Sequence, residues 1–291
     1  MTKIIAISGR LQSGKTTLSN YLHGHEMKRH DVIEKFFMSP EGKLVVNCTF
    51  HDENGKEFEE MGVLELDQQT DEFYQYASRR VWPLIRAYNF ADSLKEMCVM
   101  LFNIPPECVY GTDEEKNTIQ EHLRWENMPG VILPDWQTCI GDRHGYPLSK
   151  NDLLGFGITI HESGPMTARE FMQFLGTDIM RKIYEPIWVE NCFKRIEGDS
   201  PEIAIIGDCR FINEIQAVQK AGGKVIRLTR SLYESTHKSE TNADNYEGFD
   251  GVVDNQNMSI EESCDSFKKI LVGLGITQNT RETGKYTVSI K

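Results

Sequence analysis

No apolar run in the 291 residues approaches the roughly 18 needed to cross a membrane, no C-x-x-C pair occurs, and basic residues are outnumbered by acidic ones. Each absence removes a class of function. Without a long apolar run no membrane span is expected, and because the chain enters a strand-like segment at once, no signal peptide is expected either. The seven cysteines (Cys48, Cys98, Cys108, Cys139, Cys192, Cys209 and Cys264) stand singly, which points away from a zinc or dithiol site and towards reduced thiols in a cytoplasm. The formal charge of −12 argues against a broad duplex-binding surface, since that affinity comes from clustered Lys and Arg neutralising phosphates. A small anionic substrate asks only for a local basic pocket.

What the chain does have begins at Gly9. The run Gly9-Arg10-Leu11-Gln12-Ser13-Gly14-Lys15-Thr16 reads G-x-x-x-x-G-K-[ST] directly after the apolar segment Ile4-Ile5-Ala6-Ile7. Apolar residues at helical spacing follow, so the pattern stands in the strand-then-helix context it requires. Two glycines let the backbone turn tightly enough for successive N–H groups to face one anion at the positive end of a helix. Gly9, Leu11, Gln12, Ser13, Gly14, Lys15, Thr16 and Thr17 are therefore the candidate phosphate contacts, with Lys15 reaching the β- and γ-phosphates of ATP and the Thr16 hydroxyl holding Mg²⁺. The loop alone leaves kinase, hydrolase and motor open.

Further along, strand-like runs at 43–50 and 58–66 flank an Asn54-Gly55 turn, a hairpin signal. An insertion over about 26–70 is expected there, for which a lid over substrate and a homodimer contact both fit. Phe90, Leu94, Met97 and Leu101 fall on one helical face, with Asp92 and Lys95 away from it. Lys95 suits an acceptor phosphate, and a solvated Asp92/Lys95 pair fits the spacing equally well. The stretch at about 105–165 is loop-rich. Thr167-Ala168-Arg169-Glu170 is a capping box, after which an α-helical period would set Phe171, Leu175 and Ile179 against Arg169, Gln173 and Thr177. The second face suits a reader of base and phosphate, or plain solvent. Ile203 to Asp208 is an apolar run ending in a carboxylate, the mark of a buried parallel strand whose Asp emerges where open α/β sheets bind ligands. Arg210 and Glu214 follow it, and an Arg230-bearing polar stretch at about 230–250 suits a lid that excludes water from the γ-phosphate.

Three stretches together resemble the bacteriophage deoxynucleoside monophosphate kinases, a branch of the P-loop nucleoside monophosphate kinases. They are Ile7 to Thr17, Arg169-x-x-x-Gln173-x-Leu175-Gly176-Thr177-Asp178 with Trp188-Val189, and Asp208-x-Arg210-x-x-x-Glu214 leading to Gly223 and Arg230. Phe90-Ala91-Asp92-Ser93-Leu94-Lys95 and Val253-Asp254-Asn255 fit as well. The resemblance implies an α/β P-loop kinase fold, a parallel sheet with helices on both faces, forming one domain over 1–275 before a polar tail at 276–291. It implies ATP as donor, a deoxynucleoside 5′-monophosphate as acceptor and Mg²⁺ as cofactor, without duplex binding or membrane association. Lys95, Arg169 and Arg210 would then hold the acceptor phosphate, and Gln173, Thr177, Trp188 and Glu214 its base and sugar. Arg230 would meet the transferring group, and Asp208 would orient either Mg²⁺ or the acceptor's sugar. Two alternatives stay open: a P-loop kinase of another small acceptor such as dephospho-coenzyme A, and a DNA-acting P-loop ATPase.

Overall fold

The computed structural model describes residues 2–51, 57–68, 70–132, 159–231 and 243–278. Strand β1 (Lys3–Ser8) runs through the phosphate loop into α1 (Lys15–Arg29), followed by β2 (Phe36–Met38), β3 (Leu44–His51), β4 (Glu57–Leu64), α2 (Asp71–Arg80) and β5 (Ile85–Tyr88). Next come α3 (Asp92–Phe102), α4 (Pro106–Tyr110), α5 (Asp113–Lys116) and the short strands β6 (Ile119–Arg124), β7 (Val131–Ile132), β8 (Thr159–Ile160) and β9 (Pro165–Thr167). Helix α6 (Ala168–Gln173) widens into a π segment over Phe174–Met180. The chain closes with α7 (Ile187–Asp199), β10 (Ile203–Cys209), α8 (Ile212–Lys220), β11 (Lys224–Leu228), β12 (Gly251–Val253) and α9 (Ile260–Gly273). Two compact units result, Met1–Phe90 with Asn191–Lys291, and Ala91–Glu190. No helix among the described residues is long and apolar enough to cross a membrane.

The first unit is built on a five-stranded parallel sheet in the order β12-β11-β1-β10-β5. Its strands read as unbroken apolar runs because both faces are covered. Ile5, Ile7, Ile203, Ile205, Ile226 and Leu228 point one way, onto Leu18, Leu22 and Met27 of α1 and Phe267 and Leu271 of α9. The alternate residues Ala6, Ala204, Ile206 and Val225 are equally buried, and α8 lies against β1 and β11. The strand order reverses at β1, so the carboxyl ends of β1, β10 and β11 frame the crevice where such sheets bind ligands.

The antiparallel sheet β2-β3-β4 rests on α1. A Cβ on Gly24 would come within 2.5 Å of the Phe36 ring and 2.6 Å of a Leu44 methyl, so this mid-helix glycine is what lets the sheet lie directly on the helix. The turn at 52–56 lies outside the described residues. The change of character expected from about residue 26 begins later, because α1 continues to Arg29. Its last turns are anchored by Glu26, fully buried, whose carboxylate accepts hydrogen bonds from His25 Nδ1, the Thr277 hydroxyl and Arg29 Nε. Thr277 and Ile276, at the start of the expected polar tail, are themselves buried.

Glu26 gives a pH prediction. Burial by itself pushes its carboxyl up, but the hydrogen bonds from His25, Thr277 and Arg29 outweigh it and hold the pKa down at about 2. Because that lies below the value in the unfolded chain, the contribution, on the order of 3 kcal/mol, is complete above about pH 4.5 and disappears as pH falls through about 2. Urea melts between pH 7 and pH 3 are expected to lose stability more steeply in the native chain than in Glu26→Gln, and parallel curves would refute the anchor.

In the second unit β9 pairs antiparallel with β6, and β7 parallel with β8. The helical face expected at α3 is rotated: Leu94 and Cys98 are its buried residues, whereas Leu101 is 65% exposed. The helix ends at Phe102 on Asn103, whose φ of 52° supplies a left-handed cap.

Candidate active site

Backbone conformation shapes the phosphate loop. Gln12 and Gly14 have φ of 55° and 98°, so the chain reverses twice within three residues before α1 begins. Gly9 is required by proximity, since a Cβ there would lie 2.4 Å from Ser13 Oγ. Helix α1 starts on Gly14 without a side-chain cap, which leaves that role to a ligand anion. Lys15 Nζ folds back to the carbonyls of Gly9 (2.8 Å) and Arg10 (2.6 Å), so its charge is held over the loop. Ser13 is buried, Thr16 is exposed at the first turn of α1, and Thr17 is half-buried against Gly42.

Asn255, 2% exposed, supports this loop from below. Its Nδ2 donates to the Ser13 carbonyl (2.8 Å) and its Oδ1 accepts from the Arg230 N–H (2.9 Å). The Arg230 guanidinium in turn donates to the carbonyls of Asn255 and Met258 (3.0 and 2.7 Å). Residues 232–242, most of the expected lid, lie outside the described residues. On the loop's other side Asp244 bridges Arg10 (2.6 Å) and Arg227 (2.8 Å), and Arg227 also donates to Ser8 Oγ. Burial pushes the Asp244 carboxyl up, but its hydrogen bonds with the two guanidiniums hold it below the usual range.

Asp208 stands where β10 leaves the sheet. The β1–β10 register slips between Ala6↔Ile206 and Ser8↔Cys209, a bulge that gives β10 one extra residue and brings Asp208 beside the start of the phosphate loop. One carboxylate oxygen accepts the Phe90 N–H at 2.7 Å. Glu214, 2% exposed, reaches back from α8 to the N–H groups of Arg210 and Phe211 (2.8 and 3.0 Å), fixing the turn that presents Arg210. Burial, with Glu214 and Asp208 beside it, pushes the Cys209 thiol well above its ordinary value, so it is no nucleophile.

In the second unit Arg169 lies in the first turn of α6, behind the reciprocal Thr167–Glu170 capping box. Its guanidinium is fixed by Asp113 Oδ1 (2.5 Å) and Asn117 Oδ1 (3.0 Å) at the two ends of α5. Lys95 lies 5.4 Å from the Tyr110 ring centroid. Lys116 completes the group: burial, then the nearness of Lys95 and Arg169, push its ammonium below the ordinary value, with Asp113 and Glu115 opposing. Three cations thus crowd around α5 in a strongly acidic chain.

A family model described as deoxynucleotide monophosphate kinase matches residues 151–265. The putative deoxynucleotide monophosphate kinase of Acanthamoeba polyphaga mimivirus is 27% identical over 188 residues, covering 60% of this chain and 76% of that protein. The chain is a nucleotide kinase. The family match takes in Arg169, Gln173, Trp188, Asp208, Arg210, Glu214 and Arg230 but not the phosphate loop or Lys95.

The kinase departs from the expected α6 periodicity. Arg169 and Gln173 share an α-helical face, but the π segment alters the phase after Gln173, so Phe174, Leu175 and Gly176 are all buried and Ile179 and Thr177 are only half-buried. Gly176 lies against Leu94, and a Cβ there would come 2.6 Å from a Leu94 methyl, so that side chain would have to move. Its carbonyl accepts the Trp188 indole N–H at 3.1 Å, and Trp188, 4% exposed, packs in the interior. Lys116, Asp244, Arg10 and Arg227 are not singled out by sequence pattern, and Asn255 enters only as the end of Val253-Asp254-Asn255, without a role. For Lys116 a signal existed in the acid-rich cap at Thr112, which fixes a short helix ending on that lysine.

Proposed function

We propose that this kinase transfers the γ-phosphoryl group of ATP to the 5′-phosphate of a deoxynucleoside monophosphate, giving the diphosphate. The observation that carries the reading is the gathering of Lys95, Lys116 and Arg169 around α5 in a chain of formal charge −12, an arrangement whose mutual repulsion a dianionic phosphate would relieve. The phosphate loop, with Lys15 held over it, receives the donor. Arg210, on the turn braced by Glu214, and Arg230 serve the transferring group, and Gln173 serves the acceptor's base from the face it shares with Arg169.

An acceptor phosphate is largely dianionic at neutral pH, with a second pKa near ~6, so its oxygen attacks without a protein base. The work left to the chain is positioning and charge stabilisation. Thr16 at the first turn of α1 and Asp208 at the β10 bulge offer a hydroxyl and a carboxylate, hard oxygen donors of the kind Mg²⁺ takes together with substrate phosphates. When bound, Mg²⁺ would neutralise charge on the β- and γ-phosphates.

The test is ADP release measured across the common deoxynucleoside and nucleoside monophosphates, dephospho-coenzyme A and duplex DNA, with and without Mg²⁺. Release is expected only with a nucleoside monophosphate and Mg²⁺ together, deoxy forms being preferred. Release driven by DNA, or proceeding equally without any monophosphate, would overturn the assignment.

A further inference from the structure

A cavity of about 430 Å³ is lined by His23, Leu66, Asp67, Gln68, Tyr74, Trp82, Arg86 and Ala87. His23 lies eight residues beyond Lys15 on α1, about 12 Å along the helix axis, so the cavity is a separate place. Two aromatic rings form its walls, Tyr74 meeting Trp82 edge-on with centroids 4.6 Å apart. The Arg86 guanidinium lies 4.3 Å from the Trp82 ring centroid and is ion-paired with Asp199 at 2.8 Å.

His23 decides what the cavity recognises. The side chain is 2% exposed, and its Nδ1 lies 2.8 Å from the Ser19 carbonyl. A carbonyl only accepts, so Nδ1 carries the proton and Nε2 presents a lone pair. Burial lowers the imidazole to about 4, against the opposing effect of the Ser19 hydrogen bond, which keeps the ring neutral at physiological pH. Nε2 has no hydrogen-bond partner among the described residues, and its ring lines the cavity. With the Asp67 carboxylate and the Gln68 amide oxygen, the lining offers three acceptors, beside the donors of Gln68, Trp82 and Arg86. The guanidinium there is already neutralised by Asp199, so a phosphate would meet Asp67 without a free cation to offset it.

We propose that this cavity is a second ligand site that takes an uncharged, amino-bearing nucleobase, presented as a free nucleoside. The aromatic walls stack the flat ring, and His23 Nε2 with the two side-chain oxygens accepts from its N–H groups. Adenine, cytosine and guanine carry the exocyclic amine; thymine does not.

Titration calorimetry of the full chain with deoxyadenosine, deoxycytidine, deoxyguanosine and thymidine tests this, with the catalytic site filled by a non-hydrolysable ATP analogue and a monophosphate. At least one amino-bearing nucleoside is expected to bind saturably and more tightly than thymidine, and its own 5′-monophosphate more weakly at this site. Tyr74→Ala changes a residue that is 57% exposed and is expected to weaken the binding about tenfold, without altering turnover. His23→Leu, checked for folding by its melt, should remove the preference for amino-bearing bases. Absence of saturable binding, binding abolished by filling the catalytic site, or affinity unchanged in Tyr74→Ala would each overturn the proposal. None of these readouts depends on phosphoryl transfer, so the kinase reading stands or falls separately.

Discussion

Replacing Lys15 with alanine is expected to cut ADP release by about three powers of ten, equivalent to ~4 kcal/mol of transition-state stabilisation, while the thermal melt moves by no more than a few degrees. The ammonium now rests on the carbonyls of the buried Gly9 and the half-buried Arg10 in contacts that are themselves only part-buried, so water can take its place there. Lys15 is not a member of the apolar core in which Leu18 and Leu22 pack against β1. The loss therefore falls on catalysis, where charge builds on the β- and γ-phosphates and no other lysine belongs to the loop. Lys15→Arg should not restore the rate, because the planar guanidinium is longer and aims its donors differently. A variant that melts like the native chain yet releases ADP at the native rate would remove the phosphate loop from the mechanism.

The parts of this fold that were legible in sequence are those whose cause is local. Ile4 to Ile7 and Ile203 to Ile206 read as buried parallel strands because both faces of the sheet are covered, so the apolar pattern is continuous. Gly9 and Gly14 read as a phosphate loop because one close approach and one left-handed φ demand glycine at that spacing. Thr167 and Glu170 read as a cap because the two hydrogen bonds that define it span three residues.

What escaped depends on distant partners. Asn255 braces Ser13 from 242 residues away, and Asp244 pairs with Arg10 across 234. The face of α3 was misjudged because Leu94 meets Gly176 while Cys98, a small and easily overlooked apolar residue, occupies the next inward position. The π segment was invisible for a related reason. It inserts an extra residue per turn where the indole of Trp188 and the methyls of Leu94 converge on Gly176, a demand set by tertiary packing and not by helix propensity. α1 outran its expected end because Glu26, polar in pattern, is buried by partners that include Thr277.

Replacing Arg169 with alanine is expected to lower kcat/KM for the monophosphate by about 100- to 1000-fold, chiefly through KM, and to leave ATP affinity unchanged. Asp113 and Asn117 hold the guanidinium in one orientation, so the side chain is prepared for an anion before it arrives, and a pair of charge-assisted hydrogen bonds to a phosphate is worth about 1.5–3 kcal/mol each. The native ion pair itself contributes little to folding, because Asp113 is 43% exposed and water replaces its partner readily. Lys116→Ala should give a smaller loss, about tenfold, since one point charge is removed while the fork of Arg169 remains. The two losses should not add, because each cation raises the cost of holding the other without an anion. Arg169→Lys separates charge from geometry: it should recover only part of the affinity if the fork grips the phosphate, and all of it if the residue acts as a point charge. An unchanged monophosphate KM in a folded Arg169→Ala protein would mean that the cluster around α5 serves some other anion.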